Sequence, residues 1–218
     1  MKSVKIRNTE KEYSVGKILC VGQNYIDHVK EMGGTVPKVP MIFLKPTSTL
    51  IYNGDSIIHP NYPDEMHHEV ELVLLIGKEI KNANINEAED AIIGYGVGLD
   101  MTLRDLQKQF KNAGHPWTLA KGFDNSAVVS DFILKKDYKI SNEETIQLYK
   151  NGKLQQSSTL EKMIFSPAEI VKFLSERMTL ETGDLIYTGT PEGVSKVERG
   201  DIIKSSISNI AQLENKIE

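Results

Sequence analysis

Apolar residues along this chain come mostly in short unbroken or alternating runs, the signature of strands; a spacing of three to four appears in only a few places. Strands are expected at Lys17–Val21, ending at Gly22, and at Pro40–Lys45, Val70–Ile76, Ile92–Leu99, Phe132–Leu134, Thr145–Lys150 and Asp184–Tyr187. The C-terminal part alternates apolar and polar, as an antiparallel strand does. Asn151-Gly152 between two strand-like runs is a two-residue hairpin turn. Helices are expected at Asn24–Met32, closed by Gly33-Gly34; at Asn86–Ala91, capped by Asn86; and from Thr102, with Asp105 completing a capping box. A last helix follows the capping box Ser166-Pro167-Ala168-Glu169 and turns Ile170, Val171, Phe173 and Leu174 inward. Residues 1–16 read as a short arm, one strand and a turn. Many strands, few helices and no βαβ alternation indicate an α+β, mainly β chain forming a single domain over 1–218.

Composition narrows the function. A net charge of −4 with no basic cluster gives nucleic acid nothing to bind. The single cysteine, Cys20, lies in an apolar run, so neither a disulfide framework nor a Cys-based zinc site is expected. Neither a signal-peptide pattern nor an apolar run of membrane-spanning length is present, which points to a soluble, cytoplasmic protein.

The candidate chemistry gathers at the mouth of the most apolar strand. Glu69 and Glu71 alternate with one residue between them, so they share a face roughly 6–7 Å apart. Two like charges there repel, and burying them unpaired is costly; a divalent cation reverses the sign. The same residues also fit a solvated strand end. Asp100 closes a strand whose alternating glycines admit close neighbours. If Asp100 joins the glutamates, the oxygen-rich set favours Mg²⁺ or Mn²⁺ over zinc, with Ca²⁺ able to substitute in crystals. His28 and Glu31, i and i+3 on a short helix, are neighbours; a carboxylate beside an imidazole suits a general base, and equally an incidental surface pair. Arg104 and Gln107 share a helix face. Lys45 at a strand end reads as an edge device, and Lys121 as either a buried cation or a loop lysine. The glycine-flanked loop after Tyr187 offers backbone N–H groups and Thr190 to an anion.

These residues recur in a recognisable order: Gly22-x-Asn24-Tyr25-x-x-His28-x-x-Glu31, Phe43-Leu44-Lys45-Pro46, His68-Glu69-x-Glu71-Leu72, Gly98-x-Asp100-Met101-Thr102-x-Arg104-Asp105-x-Gln107, Pro116-Trp117-x-x-x-Lys121 and Thr188-Gly189-Thr190-Pro191-x-Gly193-Val194. Together they resemble the fumarylacetoacetate hydrolase family, in particular its single-domain acylpyruvate hydrolase and oxaloacetate decarboxylase branch. The resemblance implies a mixed β-sheet roll, a homodimer, and Mg²⁺ or Mn²⁺ held by Glu69, Glu71 and Asp100. It further implies a helix carrying His28 and Glu31 that acts as a mobile lid. Lys121 would be catalytic, and Arg104, Gln107, Thr190 and Lys45 would contact the carboxylate and oxo groups of a small oxo-acid substrate. The pattern departs from fumarylacetoacetate hydrolase proper: no carboxylate precedes His28 in Cys20–Asn24, and the partner Glu31 follows it three residues on. Those longer enzymes also carry an N-terminal domain, so fumarylacetoacetate itself is not the expected substrate. The implied activity is metal-dependent cleavage of 2,4-dioxo acids to pyruvate and a carboxylic acid, with oxaloacetate decarboxylation through the same enolate. An isomerase or tautomerase of enolisable oxo acids shares every one of these residues. A non-enzymatic metal-binding β-domain would account for the carboxylates but not for His28, Glu31 and Lys121.

Overall fold

The computed structural model describes residues 2–218. A mixed sheet runs in the order Met41–Lys45, Ile18–Gly22, Leu185–Tyr187, Val70–Ile76, Ile92–Asp100, Ala127–Val129 and Leu50–Tyr52, with Ile133–Leu134 also pairing to Ile92–Asp100. Most neighbours are antiparallel, but Leu185–Tyr187 runs parallel to Ile18–Gly22, and Ala127–Val129 parallel to Leu50–Tyr52. A four-stranded antiparallel sheet (Lys153–Thr159, Thr145–Lys150, Ile202–Ile207, Ala211–Lys216) packs beside it. The whole is the expected mainly β roll with a few helices.

The sheet separates two apolar layers. Leu19, Val21, Leu72, Leu74, Val97, Leu99 and Ile186 join the larger one, with Ile170, Val171 and Leu174 of the Pro167–Ser175 helix and Ile146, Leu148 and Ile203 of the second sheet. Ile18, Cys20, Val73, Leu75, Val129, Leu185 and Tyr187 form the other layer. The seven residues of Val70–Ile76 are all buried because both faces of this strand are covered. Glu69 and Glu71 lie in register with the Val73 side. Cys20 is buried, and burial pushes its thiol up, away from nucleophile chemistry.

Several local expectations change. Residues 2–16 hold two strands where one was expected: Ser3–Lys5 pairs with Glu12–Ser14, and Val4, Ile6 and Val15 are buried in the second layer. The Ile85–Ala91 helix is capped by Asn84, whose side chain accepts from Asn86 and Glu87 N–H, rather than by Asn86. Thr102 starts no helix, because Thr102–Leu103 is drawn into a short sheet with Met66–His67. The helix begins at Arg104, and Asp105 accepts from Asp64 N–H instead of closing a capping box. Phe173 is half-exposed, with the Arg177 guanidinium stacked over its ring at 3.4 Å. The Ser166 capping box and the Asn151-Gly152 turn form as expected. Among the described residues no helix is long and apolar enough to cross a membrane.

Gly98 shows why the Ile92–Asp100 strand needs its glycines. A Cβ there would lie 2.6 Å from Tyr187, 2.7 Å from Val73 and 2.8 Å from the Val128 carbonyl. Gly98→Ala should therefore cost about 1–3 kcal/mol by overpacking, roughly 3–10 °C in Tm. A thermal melt unchanged from the parent would contradict this close approach.

Candidate active site

Antiparallel pairing assembles the carboxylates. Val70 lies opposite Leu99 and Glu71 opposite Gly98, and Asp100 N–H donates to the Glu69 carbonyl at 2.9 Å. Asp100 thus stands across from Glu69, and alternation puts all three side chains on one face. One oxygen from each lies within 4.8 Å of the others, and all three residues are buried. The solvated strand end is excluded.

Cations surround this acidic cluster. Lys121 Nζ lies 2.8 Å from Glu69 Oε2, 2.6 Å from Asp100 Oδ2 and 2.6 Å from Thr102 Oγ1. Arg104 donates one nitrogen to Glu69 Oε1 and another to Gln107. Lys45 is buried rather than edge-exposed: its ammonium sits 2.8 Å from Asp100 Oδ1 and donates to the carbonyls of Met101, Ser126 and Lys121. Those carbonyls satisfy an ammonium and hold it behind Asp100, outside the cavity lining.

The electrostatics split the glutamates. Burial raises the proton affinity of Glu69, but Lys121 and Arg104 outweigh it, so its carboxyl is held well below the usual range. Glu71 accepts one hydrogen bond, from Gly189 N–H at 2.6 Å, and burial together with Asp100 and Glu69 pushes its pKa well up. Lys121 is buried too, yet Asp100 and Glu69 more than offset the desolvation and raise its pKa. Asp100 Oδ1 is buried and accepts no well-directed hydrogen bond. A buried carboxyl with no cation of its own, Glu71, which favours its proton, is what a divalent cation would relieve, and an all-oxygen set suits Mg²⁺ or Mn²⁺.

The sign for Glu71 sets a test. Its folded pKa is raised, so its contribution to metal-free stability is full below the unfolded carboxylate value and is lost as pH rises toward the folded one. Metal binding must displace that proton. Mn²⁺ affinity should then climb about tenfold per pH unit, with about one proton released, across the range where Glu71 holds it. Calorimetry in buffers of different ionisation enthalpy reads the proton count; zero release would contradict a protonated Glu71.

His28 and Glu31 sit on the Ile26–Glu31 helix, with His28 buried and its Nδ1 3.0 Å from Glu31 Oε2. The other Glu31 oxygen accepts from Gly193 N–H at 3.0 Å. Asn24 anchors the helix base, donating to the Thr188 and Phe165 carbonyls and accepting from Phe165 N–H. His28, Glu69, Glu71, Asp100, Arg104, Gln107, Lys121 and Thr190 line one cavity of about 50 Å³. The sequence reading did not assign Asn24, Thr102, His68 or Gln156. All four are buried polar residues; Asn24, His68 and Thr102 stood inside recurring motifs and Gln156 in none.

The model of the fumarylacetoacetate (FAA) hydrolase C-terminal family matches residues 17–218. The chain belongs to the fumarylacetoacetate hydrolase family. It is 41% identical over 201 residues to the mitochondrial oxaloacetate tautomerase of Bos taurus, covering 92% of this chain and 91% of that protein. To the oxaloacetate tautomerase of Escherichia coli it is 41% identical over 191 residues, 87% of each. The crystal structure of fumarylpyruvate hydrolase from Pseudomonas aeruginosa in complex with Mn²⁺ and pyruvate superposes with a TM-score of 0.96 at 34% identity, covering 99% of this chain and 95% of that one. Members of the fumarylacetoacetate hydrolase family similar to this chain thus include oxaloacetate tautomerases and a fumarylpyruvate hydrolase.

Proposed function

We propose that this chain is a divalent-metal-dependent enzyme of 2-oxo acids that interconverts the keto and enol forms of oxaloacetate. The observation that carries the reading is that buried His28, paired with Glu31, lines the same small cavity as Glu69, Glu71 and Asp100. A bound Mg²⁺ or Mn²⁺, held by those three carboxylates, would supply the Lewis acidity that makes a proton beside the 2-oxo group removable.

The chain's own groups do the rest. Glu31 fixes His28 through Nδ1, leaving Nε2 to take the proton from C3 and return it. Gly193 N–H keeps Glu31 in place by its second oxygen. Lys121 stands beside the carboxylates to stabilise developing enolate charge. Glu69 and Asp100 pair with three cations, Lys45, Arg104 and Lys121, and Glu71 pairs with none, so with all three carboxylates ionised the charges balance. A divalent ion then leaves an excess that suits a substrate carboxylate plus an enolate oxygen.

Acylpyruvate hydrolysis is the second reading, supported by the likeness to the Pseudomonas fumarylpyruvate hydrolase. There His28 would take its proton from water, which attacks the 4-carbonyl. Metal-stripped protein given back Mg²⁺ or Mn²⁺ separates the two. Loss of enol-oxaloacetate absorbance without pyruvate is the expected result. Pyruvate released rapidly from acetylpyruvate, with the oxaloacetate enol untouched, would overturn the order.

A further inference from the structure

We infer that His68 and Gln156 are positioning residues whose hydrogen-bond chain forces the Thr190 hydroxyl to act as a donor into the cavity. The inference rests on the functional reading above for what that donor meets, a substrate oxygen, but its geometry stands alone.

Gln156 is wholly buried, and its amide orientation follows from two partners of fixed character. Val70 N–H, which can only donate, faces one end at 3.2 Å, so that end is the carbonyl oxygen. The Pro191 carbonyl, which can only accept, faces the other at 2.8 Å, so that end is the NH₂. The amide therefore cannot flip without losing both bonds. His68 Nδ1 lies 2.9 Å from the carbonyl end and must carry a proton to bond there. Its Nε2 lies 2.8 Å from Ser195 Oγ, which secures the far side of the ring. At the other end, Gln156 Nε2 donates to Thr190 Oγ1 at 2.8 Å. The hydroxyl oxygen is thus an acceptor inside the protein, and its own proton is left over. Among the described residues no acceptor engages that proton, and Thr190 lines the cavity with Glu69, Glu71 and His28. A rotatable hydroxyl has become a directed donor, organised before substrate arrives.

The proposal is tested on Mn²⁺-loaded protein with oxalate, an unreactive mimic of the 2-oxo-acid enolate, titrated by calorimetry. Thr190→Val should weaken oxalate about tenfold, the scale of one hydrogen bond to a charged acceptor, and Thr190→Ser should stay near the parent. Gln156→Met should weaken it several-fold, and the double variant Gln156→Met/Thr190→Val should match Thr190→Val alone. A residue acting only on general packing would instead multiply its effect with that of Thr190→Val, which overturns the inference, as does parental oxalate binding by Gln156→Met. If Gln156→Met does not fold, ¹⁵N NMR of the unaltered protein decides. His68 must carry its proton on Nδ1; a proton on Nε2 alone refutes the chain. Absence of turnover by the parent enzyme would count against the proposed function, and leaves both readouts intact.

Discussion

Glu69→Gln should eliminate metal-dependent turnover of every substrate, by at least a thousandfold, and weaken Mn²⁺ by two orders of magnitude or more. The amide keeps the shape but removes the charge that Lys121 and Arg104 both address. Buried Lys121 and half-buried Arg104 then lose a counter-ion, so the metal-free protein should also lose about 3–5 kcal/mol, the cost of breaking a buried pair from one side. Mn²⁺ titration and thermal melts read the two effects separately. Parental Mn²⁺ affinity in Glu69→Gln would remove the carboxylate cluster as the metal site.

His28→Ala should behave differently. Mn²⁺ and oxalate should bind as in the parent, because the ring is neither a member of the carboxylate cluster nor a partner of its cations. Keto–enol interconversion should fall by 10²–10⁴, the usual worth of a positioned general base. Oxaloacetate decarboxylation needs neither water nor proton removal at C3 and should survive better. Equal loss of both activities would mean that His28 organises the site rather than moving the proton.

Much of this site was readable before any coordinates, for a local reason. The spacing of Glu69 and Glu71 follows from strand alternation, and that of His28 and Glu31 from the helix turn; both hold in three dimensions. Thr145–Lys150, the Asn151-Gly152 turn and the Ser166 cap were equally local. Non-local features were hidden. Nothing in Ile18–Gly22 announces a parallel partner at Leu185–Tyr187, far along the chain with no regular crossover between them. Lys45 looked like an edge lysine because its acceptors at Asp100, Met101, Lys121 and Ser126 come from other segments. The cap fell on Asn84 rather than Asn86, beside a long-range contact, Ala83 N–H to Ser175 Oγ, that the local sequence does not show. Thr102 was claimed by a strand pairing that local propensity cannot see.

One short loop touches both halves of the chemistry: Gly189 N–H grips Glu71 and Gly193 N–H grips Glu31. Both glycines have positive φ, 99° and 94°, and a Cβ at either would collide with neighbouring atoms, so the segment has little freedom to move one end without the other. The same few residues of backbone therefore hold Glu71 and Glu31. A side chain added at either glycine should be felt at the carboxylate cluster and at the imidazole pair alike.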